Sequence, residues 1–144
     1  MKLLTLKMKR FDNELPLPAY QTPGSVGLDL YARESCVINP GKVVLVPMNV
    51  AIELPPNCWA MLAARSSLHK KGLQLINGIG VGDADYCGDN DEYRAALFNF
   101  TSEPVTVERG DRLVQMLILP YERVEIEPVD HLGNADRGGF GSTK

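Results

Sequence analysis

Turn-forming residues interrupt this chain along its whole length. Thirteen glycines and ten prolines are scattered from Pro16 to Gly141 across 144 residues, and residues of these types end or bend regular elements. Many short segments are implied; long helices are not. Turn signals stand at Pro23-Gly24, Asn39-Pro40-Gly41, Pro55-Pro56-Asn57, Gly88-Asp89-Asn90 and Arg109-Gly110-Asp111. Between them the apolar pattern has period two. Val50, Ile52 and Leu54 alternate with polar or small residues, as do Trp59, Met61 and Ala63, and Val124-Glu125-Ile126-Glu127 repeats the pattern. Val43 to Val46 and Leu113 to Leu119 are apolar runs of the kind found in strands buried on both faces. The reading is an all-β sandwich or jelly roll. One segment differs: Ser66 to Gly72 offers a serine cap, a basic last turn and a closing glycine, which predicts a helix of about two turns.

The length suits one domain, and 44% hydrophobic with 23% charged residues is ordinary globular composition. Residues 1–133 are read as that domain and 134–144 as a flexible, glycine-rich tail with little to contribute to a core. A net charge of -3 and a pI near 5.4 argue against a nucleic-acid binder, which needs a basic surface. A small anionic ligand is compatible, because a few arginines in one cleft reverse the local sign. Leu113 to Leu119, broken by Gln115, falls far short of the ~20 apolar residues that cross a bilayer. Met1 to Lys7 does not read as a signal peptide, so a cytoplasmic protein is expected. Cys36, Cys58 and Cys87 are odd in number and lack C-x-x-C spacing, which argues against a disulfide framework and a zinc site.

Four clusters can carry chemistry. Arg65-Ser66-Ser67 joins a guanidinium to two hydroxyls at a helix start, either an anion site or a plain cap with a solvated arginine. Asn77 to Tyr86 has glycines at 78, 80 and 82, which let backbone approach a ligand and read a flat polar edge. Asp83 there is placed to act as a general base toward water, or the segment is a hairpin with glycine kinks and a turn aspartate. Gln115 is a single amide in an apolar strand, where leaving it unpaired is costly, or it bonds a neighbouring loop. In the tail, Phe140 stands alone among glycines between Arg137 and Ser142-Thr143, a composition suited to a lid that stacks on a ring and holds phosphate.

Taken together, these segments resemble the homotrimeric dUTP diphosphatase (dUTPase) family, in a bacterial or phage-like form. Five motifs occur in the family's order: Gly24 to Leu30, Ala64 to Ser67, Gly80 to Tyr86, Gly110 to Gln115, and Arg137 to Thr143. The resemblance implies a distorted jelly roll in a trimer whose active sites are shared between subunits. It implies Mg²⁺-assisted hydrolysis of dUTP to dUMP and pyrophosphate, which keeps uracil out of DNA and supplies dUMP for dTMP synthesis. Asp83 is then the base. Arg65, Ser66, Ser67 and Gln115 hold phosphates; Asn77 with the backbone of Gly80 and Val81 reads uracil; Tyr86 lies against the deoxyribose. Phe140 stacks on the base from a neighbouring chain, and Arg137, Gly141, Ser142 and Thr143 close on the phosphates. The metal has no direct protein ligand in this scheme, with Asp29 structural or in its outer shell.

Three departures from the family pattern are visible. Gly82 replaces a bulky aliphatic residue before the aspartate, the tail is two residues shorter between Arg137 and Gly138, and Cys87 and Asp89 replace an arginine and a glutamate. Two rival readings share the resemblance. A dCTP deaminase, or a bifunctional deaminase and diphosphatase, needs a glutamate at the cytosine ring, and the position matched through Asn99 holds Ala96. A non-catalytic nucleotide-sensing trimer has no need of Asp83.

Overall fold

Strands form where the apolar positions alternate and stop at the turn signals. The computed structural model describes residues 3–142. Its strands are β1 (Lys7–Arg10), β2 (Leu28–Asp29), β3 (Cys36–Ile38), β4 (Val43–Pro47), β5 (Val50–Glu53), β6 (Cys58–Ala64), β7 (Leu73–Leu75), β8 (Gly80–Gly82), β9 (Arg94–Asn99), β10 (Val105–Val107) and β11 (Val114–Pro120). They pair antiparallel into a four-stranded sheet β2-β11-β6-β8, a three-stranded sheet β4-β9-β7, and two ribbons, β1-β5 and β3-β10. Leu30, Ile38, Val46, Met48, Val50, Leu97, Val107, Val114 and Met116 are completely buried between these layers. Burial of that apolar surface is the main driving force for the fold. Cys36, Cys58 and Cys87 form no disulfide. No helix among the described residues is long and apolar enough to cross a membrane.

The helix is shorter than the sequence predicts. It is a single 3₁₀ turn, Leu68–Lys71, and its cap residue Ser67 makes no side-chain capping bond. Upstream, the Arg65 N–H is already committed to the Leu113 carbonyl at 3.1 Å, so the chain leaves β6 as sheet rather than helix. Downstream, Gly72 takes a left-handed φ of 78°. A side chain there would also collide with Thr101, so glycine both ends the turn and lets it pack.

Burial departs from the expected pattern in three places. In β4, Val43 and Leu45 are exposed, at 49% and 58%, so this run is covered on one face only. In β6 the residues facing the core are Cys58, Ala60 and Leu62, whereas Trp59, Met61 and Ala63 lie half-exposed on the other face. Leu117 and Leu119 of β11 pair with Met61 and Trp59, extending that half-exposed apolar stripe. Beyond Pro120 no described residue is in a strand or helix. The alternating segment Val124 to Glu127 therefore has no partner strand here, and Val124 and Ile126 are 80% and 85% exposed. Irregular chain thus begins at Tyr121, ahead of the glycine-rich tail.

One buried amide ties the sheets to their loops. Asn99, with no exposed surface, donates to the Ile38 and Glu103 carbonyls at 2.8 and 2.7 Å. Its oxygen accepts from the N–H and hydroxyl of Thr101 at 2.8 and 2.7 Å. Asn99→Ala leaves these buried groups unpaired, and a loss of about 3 kcal/mol is expected. Urea unfolding checks this: the midpoint should fall with an unchanged slope, and a loss below about 1 kcal/mol would contradict the role given to this amide.

Candidate active site

The glycine-rich hairpin grows from the end of β7. The Ile76 N–H bonds the Ala96 carbonyl at 3.0 Å, and the chain then turns through Asn77 and Gly78, whose φ is 75°. It returns as β8, with Gly80 opposite Leu62 and Gly82 opposite Ala60 on β6. A Cβ on Gly80 would lie 3.0 Å from that of Leu62, so the absent side chain permits the close strand approach. After β8 a turn closes with the Tyr86 N–H on the Asp83 carbonyl at 3.2 Å. The Tyr86 ring stands edge-on to Tyr93 at 5.5 Å, and its hydroxyl donates to the Glu92 carbonyl at 2.9 Å.

Glu92 anchors this corner. Buried to 4% exposure, its carboxylate takes two bonds from Arg33, at 2.8 and 2.9 Å. It also accepts the Asn49 N–H at 3.0 Å. Such a bidentate, charge-assisted arrangement is rigid. On it rests a cleft of about 340 Å³ lined by Asn77, Gly80, Val81, Gly82, Asp83 and Tyr86 together with Tyr93 and Arg94. That volume lies within the range of small-molecule sites. Asp83 also borders a hollow of about 570 Å³ with Trp59, Tyr121 and Arg123. Its exposed carboxylate has no ion pair or side-chain hydrogen bond among the described residues.

A second group sits at the far end of β6. Asp29, 5% exposed, pairs with Arg65 Nε at 3.2 Å and with Arg112 at 3.3 Å. Arg65 donates in addition to the Arg112 carbonyl at 3.0 Å. Two guanidiniums on one carboxylate leave a net positive charge held in place, the character of an anion site. Arg65 is thus half-buried and paired, not freely solvated, while Ser66 and Ser67 are exposed beside it. Gln115, the cross-strand partner of Asp29, donates to the Ala64 carbonyl at 3.3 Å. Gly27 makes room for it, since a Cβ there would stand 2.5 Å from the Gln115 Oε1.

The register keeps these two groups apart. Gly82 pairs with Ala60, and Arg65 lies five residues further along the chain, which at the rise of an extended strand is about 17 Å. The tail joins neither group. Its described end turns back on itself, with the Gly139 N–H on Ser142 Oγ at 2.7 Å and the Ser142 N–H on the Gly139 carbonyl at 3.0 Å. Phe140 is fully exposed at a φ of 50°, Arg137 has no ion pair among the described residues, and Thr143 lies outside them. Sequence reasoning did not single out Glu92, Tyr93 or Arg112 for the site. Arg112 had a signal, because a buried aspartate demands cationic partners; Glu92 and Tyr93 carry none that separates them from an ordinary strand start.

A family model described as dUTPase matches residues 13–144. Among curated relatives, the deoxyuridine 5'-triphosphate nucleotidohydrolase of Caldanaerobacter subterraneus subsp. tengcongensis is 42% identical, covering 97% of each chain. That of Hahella chejuensis is 45% identical over 94% of this chain and 91% of its own. Among solved structures, a dUTPase from Streptococcus mutans superposes with a TM-score of 0.75 at 32% identity, covering 82% of this chain and 98% of that one. The dUTPase of Staphylococcus bacteriophage 80alpha with dUPNHPP reaches a TM-score of 0.85 at 20% identity, covering 97% and 98%, which speaks for the fold. With a matching family model over most of its length and relatives above 40% identity, the chain belongs to the dUTPase family.

Proposed function

We propose that the chain hydrolyses dUTP to dUMP and pyrophosphate with Asp83 as the general base. The observation that carries this is an unpaired carboxylate at the mouth of a glycine-walled cleft. Water attacks the α-phosphorus, Asp83 takes its proton, and the bond from that phosphorus to the bridging oxygen breaks with pyrophosphate as leaving group. Asn77 and the backbone of Gly80 and Val81 face the uracil edge, and Tyr86 lies against the deoxyribose where a 2′-hydroxyl would collide. Arg65, Ser66, Ser67 and Gln115 receive the phosphates, and Asp29 keeps Arg65 aimed at them.

The metal fits this scheme without a cage. No group of three or more His, Cys, Asp or Glu side chains among the described residues could hold an ion, and Asp29 is taken by two arginines. Mg²⁺ bound through substrate phosphates and waters asks for nothing more; when bound it offsets phosphate charge.

The site is shared within a homotrimer in this reading. About 17 Å along a strand is too far for one triphosphate to meet both Asp83 and Arg65 of a single chain. The unpartnered, exposed segment from Val124 to Glu127 and the half-exposed stripe of Trp59, Met61, Leu117 and Leu119 supply surfaces for neighbouring copies. Residues 134–144, of which 143 and 144 lie outside the described residues, then act as a lid on the domain of residues 1–133. Phe140 stacks on the base from an adjacent subunit, with Arg137, Gly141, Ser142 and Thr143 at the phosphates. A cytoplasmic nucleotide enzyme with no nucleic-acid or membrane partner suits the net charge of -3.

Asp83→Asn keeps the shape and removes the base, so kcat should fall by roughly 10²–10⁴. Pyrophosphate release measures the loss, and titration with a non-hydrolysable dUTP analogue should show near-normal binding; turnover close to the parent's would move the base elsewhere. Sharing is tested by mixing Asp83→Asn chains with chains truncated before Arg137. Neither alone should turn over well, whereas mixed trimers should regain activity, because an intact tail can serve an intact Asp83 on another chain. Mixed trimers verified by mass that regain none would assign each tail to its own chain's site.

A further inference from the structure

Tyr93 presents a problem that the proposed chemistry does not yet use. The residue is 6% exposed, and its hydroxyl is buried with no hydrogen-bond partner among the described residues. Leaving a hydroxyl dry and unpaired is costly. Phenylalanine would fill nearly the same space without that cost, so packing alone does not account for the oxygen.

Its position suggests what does. Tyr93 lines the cleft together with Gly82, Asp83 and Tyr86, and its ring is braced edge-on by Tyr86 at 5.5 Å. A Cβ on Gly82 would overlap the hydroxyl and stand 2.8 Å from the ring carbons Cε1 and Cζ. The phenol tip therefore occupies the place of a side chain at 82. It abuts the backbone one residue before Asp83. Burial, then Tyr86, then the charge of Asp83 push the phenol pKa up to about 12, so at neutral pH the hydroxyl keeps its proton and can act as a donor.

We propose that Tyr93 is a positioning residue for Asp83, taking the place of the missing side chain at 82 and donating its hydroxyl proton to the Asp83 carboxylate once nucleotide fills the cleft. The inference rests on the role of Asp83 proposed above. It explains how glycine is tolerated before the base: the support comes from the residue that leads into β9 instead of from the residue next door. It also explains why the hydroxyl is kept unpaired in the free chain, where Asp83 lies in a solvent-exposed turn.

The test is Tyr93→Phe in the full-length enzyme, with kcat and KM for dUTP followed against pH and with urea unfolding alongside. A donor to the carboxylate favours its ionised, proton-accepting form, so losing the donor should move the acid limb of kcat to higher pH. At neutral pH kcat should fall about tenfold with KM within about twofold, while the urea midpoint stays or rises. Added to Asp83→Asn, the same change should cost nothing further, because the two residues act as one unit. Unchanged kcat and acid limb in Tyr93→Phe would overturn the proposal. So would a drop in kcat that follows the urea midpoint without moving the limb. If Asp83→Asn is inactive while Tyr93→Phe is normal, this inference fails alone; if Asp83→Asn is active, the assignment of the base fails first.

Discussion

The ladder between β6 and β11 is the constraint on which the site's layout depends. Seven residue pairs, from Val114 with Ala64 to Pro120 with Cys58, fix this register, and a slip by one would turn every side chain to the opposite face. From one end of β6 hangs Arg65, with β2 adding Asp29 through its pairing to β11. Toward the other end β8 is docked, carrying Asp83 just beyond Gly82. The same ladder thus orients both chemical groups and holds them apart. A rigid sheet serves such an arrangement better than loops, since the separation of the two groups is set by strand rise.

Charge inside the site is arranged by a similar economy. Asp29 and Glu92 are both buried carboxylates, and each is satisfied by arginine. Their consequences differ. Glu92 meets a backbone N–H and one arginine, which it shares with Glu34, so no positive charge is left over there and the group serves as a structural post. Asp29 meets two arginines, so a surplus of positive charge remains at the place where phosphates are proposed to bind.

The all-β character, the strand boundaries and the family motifs were legible in the sequence because period-two patterning and turn residues are local signals. Gly80 and Gly82 drew notice as places where backbone could approach a ligand; what approaches them in the chain itself, Leu62 and Tyr93, is distant in sequence and leaves no mark nearby. The predicted two-turn helix failed because a non-local bond from Arg65 to Leu113 held the preceding residues in the sheet. Trp59, Met61 and Ala63 alternate as expected, yet they lie on the half-exposed face and their neighbours Cys58, Ala60 and Leu62 fill the core. Alternation gives two faces without saying which is inside. Val124 to Glu127 shows the same limit, as a strand-like pattern without a partner in its own chain.

Gly27 illustrates a kind of dependence that a census of polar side chains overlooks. It donates nothing to a ligand and needs no unusual backbone angle, but the Gln115 amide lies where its side chain would begin. The contribution of this position is an absence of atoms. A neutral methyl group added there would displace the Gln115 amide of β11 while leaving every charged and polar residue in the sequence unchanged. Tolerance at position 27 is therefore set by volume before chemistry: each added atom must be met by a shift of the Gln115 side chain, whatever its polarity.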